Sequence, residues 1–111
     1  MSYVRGDIVK GPDLVGPHTF RPWLLLSDDS HPFGEQEGLW AVITTTSRSS
    51  AIPLGDSDLE SGALPKQSFV NPWNITTIKF ADMYVVEATV TESVADQVAE
   101  DAAKYMGITA P

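Results

Sequence analysis

Apolar residues in the first ninety positions fall in short clusters, each broken within a few residues by proline, glycine or acidic turn chemistry. Arg5 to Lys10 predicts a compact strand that stops at Gly11-Pro12. The stretch from Pro12 to Thr19 carries Gly16-Pro17 and predicts a loop. Pro22 to Ser27, with Trp23-Leu24-Leu25-Leu26 inside it, is a continuous apolar run of the kind expected for a strand buried on both faces. After a turn-rich segment over 28–34, Leu39 to Thr46 is rich in β-branched residues. Thr77 to Phe80 and Tyr84 to Val90 predict two further strands, and Glu87-Ala88-Thr89-Val90 alternates as a half-buried strand does. The polar, glycine-containing stretch from Gly55 to Pro65 predicts a long surface loop. Short strands at this spacing suit a small barrel or sandwich. Its core is expected from Ile8, Val9, Leu24, Leu26, Val42, Ile43, Val85 and Val86.

The period changes after Val90. Val94, Val98, Ala102 and Tyr105 lie four, four and three residues apart, while Glu92, Asp96, Gln97, Glu100, Asp101 and Lys104 fill the opposite side. That pattern predicts an amphipathic helix over about 92–106, packed through Val94, Val98 and Tyr105. Thr91 or Ser93 can cap its first turn, and Gly107 is placed to end it. The expectation is a mostly β (α+β) chain forming one domain over 1–111, with strands within 3–90 and this one helix.

Composition narrows the function classes. The absence of cysteine excludes a disulfide framework and thiolate metal ligation. Apolar runs such as Trp23–Leu26 fall far short of the roughly 20 residues that a membrane helix needs. The N-terminal residues lack the apolar run of a secretory signal, so a soluble cytoplasmic protein with no membrane partner is expected. Fifteen Asp and Glu against seven Lys and Arg give a net charge of −8. Nucleic-acid binders usually carry basic patches, so bulk charge argues against such a partner. An acidic surface of this kind suits either a salt-rich cytoplasm, where screening is short-ranged, or an ordinary acidic protein.

No glycine-rich phosphate loop, His-Glu-x-x-His or Gly-x-Ser-x-Gly motif occurs, and no spacing supports a metal site or a cofactor. His18 and His31 lie in proline-flanked loops, where a histidine can act as acid or base or can be merely structural. Arg21 stands at a loop-to-strand junction, and Pro22 behind it favours an extended backbone. A guanidinium held there suits a phosphate, though a surface ion pair is the plainer use. Thr44-Thr45-Thr46-Ser47 places four hydroxyls at a strand end. Arg5, Arg48 and Lys79 are further cations, and Trp23, Trp40 and Trp73 read as core or interface anchors, with base stacking as the other use.

Taken in order, several segments resemble the MazF/PemK family of toxin endoribonucleases. They are Arg5-Gly6-Asp7-Ile8-Val9, Arg21-Pro22 leading into Leu24-Leu25-Leu26-Ser27, Ala41-Val42-Ile43-Thr44-Thr45-Thr46, Gly62-Ala63-Leu64 with Gln67-Ser68-Phe69-Val70, and Ile75-Thr76-Thr77-Ile78-Lys79. The resemblance runs from about Tyr3 to Ile108. It implies a compact SH3-like β-barrel with a C-terminal helix, usually a homodimer. The activity implied is sequence-preferring, metal-independent endoribonuclease action on single-stranded RNA, without a cofactor, held in check by a cognate antitoxin protein. By the same resemblance Arg21 acts as general acid or base and stabilises the phosphorane. Thr45 holds the scissile phosphate, with Thr44 and Thr46 one alignment step away. Arginine is a poor base, so His18 is a catalytic candidate beside it, and Arg48 and Lys79 are candidate substrate contacts. Against that resemblance, the loop Gly16-Pro17-His18-Thr19-Phe20 looks shorter than is usual and lacks the glutamate, and a glycine besides Gly16, often found there. The alternative reading is a catalytically inactive SH3-like barrel that binds a protein partner.

Overall fold

The computed structural model describes residues 2–109, so Met1, Ala110 and Pro111 of the expected 1–111 domain lie outside the described residues. Seven strands run antiparallel to their neighbours: β1 (Asp7–Pro12), β2 (Phe20–Leu25), β3 (Glu37–Thr44), β4 (Ile52–Leu54), β5 (Leu59–Gly62), β6 (Ser68–Lys79) and β7 (Val86–Val90). They form one sheet in the order β4-β6-β3-β2-β1-β7-β5, curled into a nearly closed barrel, and helix α1 (Glu92–Tyr105) follows β7. Two 3₁₀ turns, Asp56–Asp58 and Phe80–Asp82, complete the regular structure of the described residues. The small barrel with a C-terminal helix is the fold expected from the sequence. Among the described residues no helix is long and apolar enough to cross a membrane.

The central strands are buried on both faces, as the run Trp23-Leu24-Leu25 requires. Alternate residues feed two separate cores. Ile8, Leu24, Ala41, Ile43 and Val70 pack with Ala95 and Val98 of the helix. Val9, Trp23, Leu25, Trp40 and Val42 pack on the other side with Tyr3, Phe80 and Met83. The two buried indoles are satisfied, Trp23 Nε1 donating to Pro12 O (2.9 Å) and Trp40 Nε1 to Ile78 O (3.1 Å). Both side chains therefore bring apolar area inside without leaving an orphaned donor.

The Thr91 hydroxyl caps α1 by accepting from Val94 N at 3.3 Å. Gly107, at φ +94°, takes the left-handed conformation that ends it. Ala95, Val98 and Ala102 form the buried stripe, with Val94 half-buried beside it. Val98 is fully buried, and Val98→Ala should cost roughly 1–3 kcal/mol, as removal of core methyl groups does. Chemical denaturation measures this, and a loss of only a few tenths would reject the packing described.

Several expectations need correction, among them the strand expected over 77–80, which is the end of the longer β6 and gives way to a 3₁₀ turn at Phe80. Val85 and Val86 are exposed, not core. Ile8 pairs with Ala88 but Val9 pairs with Val86, so Glu87 is an extra residue on β7. This bulge reverses the side-chain parity, leaving Ala88 and Val90 inside and turning Val86 out. Val85 precedes the strand and contributes only its carbonyl, which accepts from Lys10 N (2.9 Å). Tyr105 is also exposed, because the buried stripe of α1 runs through Ala95 instead of Val94 and passes the tyrosine by. Finally, the predicted loop over 55–65 contains β5, an edge strand pairing with β7 that carries one half-buried apolar residue, Leu59.

Strand β6 pairs with β3 over its length, but Ala41 opposes Ile75 while Val42 opposes Asn71. Pro72, Trp73 and Asn74 are thus inserted between two paired stretches, and the proline falls where no ladder bond is required of it. Trp73 lies on the outside of this bulge.

Candidate active site

Strands β1 and β2 are joined by residues 13–19, a connection organised around a single carboxylate. Asp13 N donates to Thr19 O at 3.1 Å, closing the loop's base. Asp13 Oδ1 accepts from Val15 N (3.1 Å) and Gly16 N (2.8 Å), while Oδ2 accepts from His18 N (3.0 Å). Arg21 Nε, from the start of β2, donates to the same Oδ1 at 2.9 Å. Gly16 permits this crowding: a Cβ there would stand 3.0 Å from Asp13 Oδ2 and 3.1 Å from Arg21 Nη2. Pro17 has no amide hydrogen, so the loop has one donor fewer to satisfy.

Two opposed effects act on Asp13. Burial pushes its carboxyl up, but the hydrogen bonds from Val15, His18 and Gly16 and the charge of Arg21 outweigh that, so it titrates below the ordinary carboxylate range. Its side chain is fully covered and that of Arg21 is 14% exposed, which makes the pair a nearly buried one. The guanidinium is a permanent cation by its chemistry, and the carboxylate fixes where it points. Arg21 is therefore a fixed positive charge and a donor of hydrogen bonds, and is poorly placed to remove a proton.

Arg21 Nη1 donates to Ile43 O at 3.3 Å, which ties the guanidinium to the end of β3. Trp23 pairs with Val42 across β2 and β3. Continuing that antiparallel register by two residues sets Arg21 across from Thr44, on the same face of the sheet. Thr44 Oγ1 accepts from Thr46 N at 3.1 Å, which turns the chain away from the strand and leaves the hydroxyl proton free to donate. The result is a groove of about 440 Å³ bordered by His18, Arg21, Thr44, Thr45, Thr46 and Lys66. No Asp or Glu side chain lines it, in a chain with fifteen of them. The bulk charge of −8 therefore does not describe this groove, whose local groups are cations and hydroxyls.

The five residues His18, Arg21, Thr44, Thr45 and Thr46 thus come together, and two other candidates do not. Arg48 borders a separate hollow with Ser49, Ser50, Trp73 and Tyr105. Lys79 pairs with Glu37 at the opposite end of β3 from Thr44, about 23 Å away at the usual rise per residue. His31 lies in a third place, with its Nδ1 accepting from Phe33 N at 3.0 Å. Arg5 is committed to Asp96 of α1 (2.9 Å) and to Leu26 O (3.0 Å). Sequence reasoning missed Asp13 and Lys66. An aspartate opening a loop that contains Gly-Pro has the chemistry of a turn that folds back on its own carboxylate, which was the available signal for Asp13. Nothing in the sequence around Lys66 marked it.

Among the described residues no group of three or more His, Asp or Glu side chains is arranged to hold a metal ion. No protein-family model matches the sequence, and no curated protein matches it. Solved structures do. An endoribonuclease from a mycobacterial species, in complex with its cognate antitoxin, has a TM-score of 0.78 at 22% identity, over 99% of this chain and 100% of that one. A second mycobacterial endoribonuclease has a TM-score of 0.77 at 23% identity, over 100% of this chain and 97% of that one. The Mycobacterium tuberculosis toxin MazF-mt6 has a TM-score of 0.71 at 21% identity, over 94% of this chain and 99% of that one. Likeness at these identities establishes the shared fold.

Proposed function

We propose that this protein is a sequence-preferring, metal-independent endoribonuclease toxin of a type II toxin–antitoxin pair, cutting single-stranded RNA in the cytoplasm. The observation that carries the reading is the Arg21 guanidinium, fixed by Asp13 and facing the Thr44–Thr46 hydroxyls in a groove free of acids. The likeness in fold to mycobacterial endoribonucleases, one of them bound to an antitoxin, supports it. A homodimer and a cognate antitoxin that covers the groove belong to the same proposal.

Cleavage of RNA by its own 2′-hydroxyl needs three things from the protein: a base for the 2′-oxygen, positive charge for the phosphorane and an acid for the leaving 5′-oxygen. Arg21 supplies the charge. Its Nε is held by Asp13 and one hydrogen of Nη1 by Ile43 O, so Nη2 and the second Nη1 hydrogen are left to face a phosphate without further reorganisation. The threonine hydroxyls donate to the non-bridging oxygens, Thr45 from beyond the strand and Thr44 from its end. His18, its backbone amide pinned to Asp13 and its side chain bordering the groove, is the group suited to move a proton. His18 takes the proton of the 2′-hydroxyl as that oxygen bonds to phosphorus, and the imidazolium so formed returns it to the 5′-oxygen as the bond between phosphorus and the 5′-oxygen breaks. The products are a 2′,3′-cyclic phosphate upstream and a 5′-hydroxyl downstream.

Purified protein should cut single-stranded RNA in the presence of EDTA. Folded protein that cuts none over a broad range of salt would remove the nuclease reading. Thr44→Val and Thr45→Val, assayed side by side, assign the phosphate contact: the one that matters should lose about tenfold, the scale of one neutral hydrogen-bond donor.

A further inference from the structure

We infer that the hollow between Arg48, Trp73 and Tyr105 is a second nucleotide site, where a base of the same RNA strand stacks beyond the cleaved bond. This rests on the nuclease reading and adds where the rest of the substrate lies.

Three observations carry it. Strand β6 gives up its regular pairing with β3 over three residues, and the bulge so formed turns Trp73 outward, 41% exposed. Bulges are used to re-aim a side chain, and an indole is a costly group to leave in water. Trp73 stands edge-to-face with Tyr105 of α1, ring centroids 6.1 Å apart at 82°. The perpendicular contact sets the two rings against each other, and each keeps nearly half of its surface exposed to a planar ligand. Secondly, Arg48 has no ion pair with any described residue, although Arg5 and Arg21 both do. In a strongly acidic chain an unpaired guanidinium beside open aromatic rings, with the hydroxyls of Ser49 and Ser50, suits a phosphate next to a base.

The third observation is continuity and charge. Residues 45–51 connect β3 to β4; Thr45 and Thr46 border the Arg21 groove while Arg48, Ser49 and Ser50 border this hollow. One short loop therefore has both sites on its flanks. Neither contains an acid, whereas three other hollows carry Asp29 and Glu35, Asp28 and Asp29, or Asp28, Glu60 and Glu92. A polyanion leaving the groove has an acid-free way across this loop and meets carboxylates in those other hollows.

Fluorescence can test this directly, because Trp23 and Trp40 are fully buried and Trp73 is the exposed indole. Single-stranded RNA carrying one 2′-deoxy residue at the cleaved position binds without being cut. Titrating such oligonucleotides, extended on the 5′ or the 3′ side, should quench emission for the extension that reaches the hollow. Trp73→Phe should abolish the quenching while retaining most of the affinity. Trp73→Ala should weaken binding of the extended RNA roughly tenfold, the scale of one base–aromatic stack, and raise KM correspondingly. Arg48→Gln should lower the slope of log affinity against log salt by about 0.7, one phosphate contact on a single strand. Thermal unfolding of each variant confirms that it is folded. If wild-type protein cuts RNA but no extension quenches Trp73 and Trp73→Ala binds as well as wild type, the inference is wrong and the nuclease reading stands. Quenching by an antitoxin segment and by no RNA would likewise overturn it, making the hollow a protein-docking site. Absence of any RNA cleavage is a failure of the nuclease reading itself.

Discussion

Arg21→Ala should reduce the rate of RNA cleavage by about 10²–10³-fold, the loss seen when one preorganised stabiliser of transition-state charge is removed. The guanidinium is not a loose surface charge. Asp13 holds Nε at 2.9 Å and the Ile43 carbonyl holds Nη1 at 3.3 Å, so its orientation is set before substrate arrives. Arg21→Lys should rescue little. An ammonium lacks the planar fork, and satisfying Asp13 would use the one charged group that the phosphate also needs. A guanidinium is a poor base wherever it sits, so the base must be sought elsewhere. His18→Ala should therefore lose a large part of the activity as well, and its pH–rate profile should lose the limb that reports the base. A His18→Ala rate equal to wild type would return that duty to Arg21, against the electrostatics described here.

Asp13→Ala carries the second large effect, on stability as well as rate. It removes the acceptor for three backbone amides and leaves a nearly buried guanidinium without its partner. Breaking a buried pair from one side typically costs about 3–5 kcal/mol. Asp13→Asn should fall between the two, since it keeps one acceptor oxygen and loses the charge. The pH dependence has a definite sign. The folded carboxyl titrates below its unfolded value, so its contribution is complete above the unfolded pKa of about 3.9 and is lost as pH falls through the lower folded value. The gap in melting temperature between wild type and Asp13→Asn should accordingly be constant near neutral pH and shrink below about pH 4. A gap that persists unchanged into strong acid would show that Asp13 acts through shape alone.

How far the sequence could lead is visible in these same residues. Arg21 and the threonines were legible because they end strands whose apolar runs are plain, and chain direction brings the start of β2 beside the end of β3 in an antiparallel pair. Asp13 was not, since its part depends on hydrogen bonds folded inside an irregular loop, where no periodicity operates. Lys79 looked equivalent to other cations in sequence, yet the twelve residues of β6 carry it to the far end of the barrel. Bulges explain two more differences. One extra residue at Glu87 turned Val86 outward, and the insertion of Pro72-Trp73-Asn74 set Trp73 outside the core that holds Trp23 and Trp40. Insertions of this sort break the period-two rule locally and leave the composition of the strand unchanged. Edge strand β5 was unreadable for a different reason: Leu59-Glu60-Ser61-Gly62 has one apolar residue, so its pairing with β7 rests on backbone bonds.

The account turns on the 2′-oxygen of the RNA acting as nucleophile against a phosphate held by Arg21 and the threonines. Analysis of the cleaved ends is the most direct test. A defined single-stranded RNA cut in EDTA should leave fragments ending in a 2′,3′-cyclic phosphate and beginning with a 5′-hydroxyl, and substitution of the 2′-hydroxyl by hydrogen at the cut position should abolish cleavage there. Fragments with 3′-hydroxyl and 5′-phosphate ends, or cleavage that survives the 2′-deoxy substitution, would mean that water is the nucleophile and would contradict the mechanism.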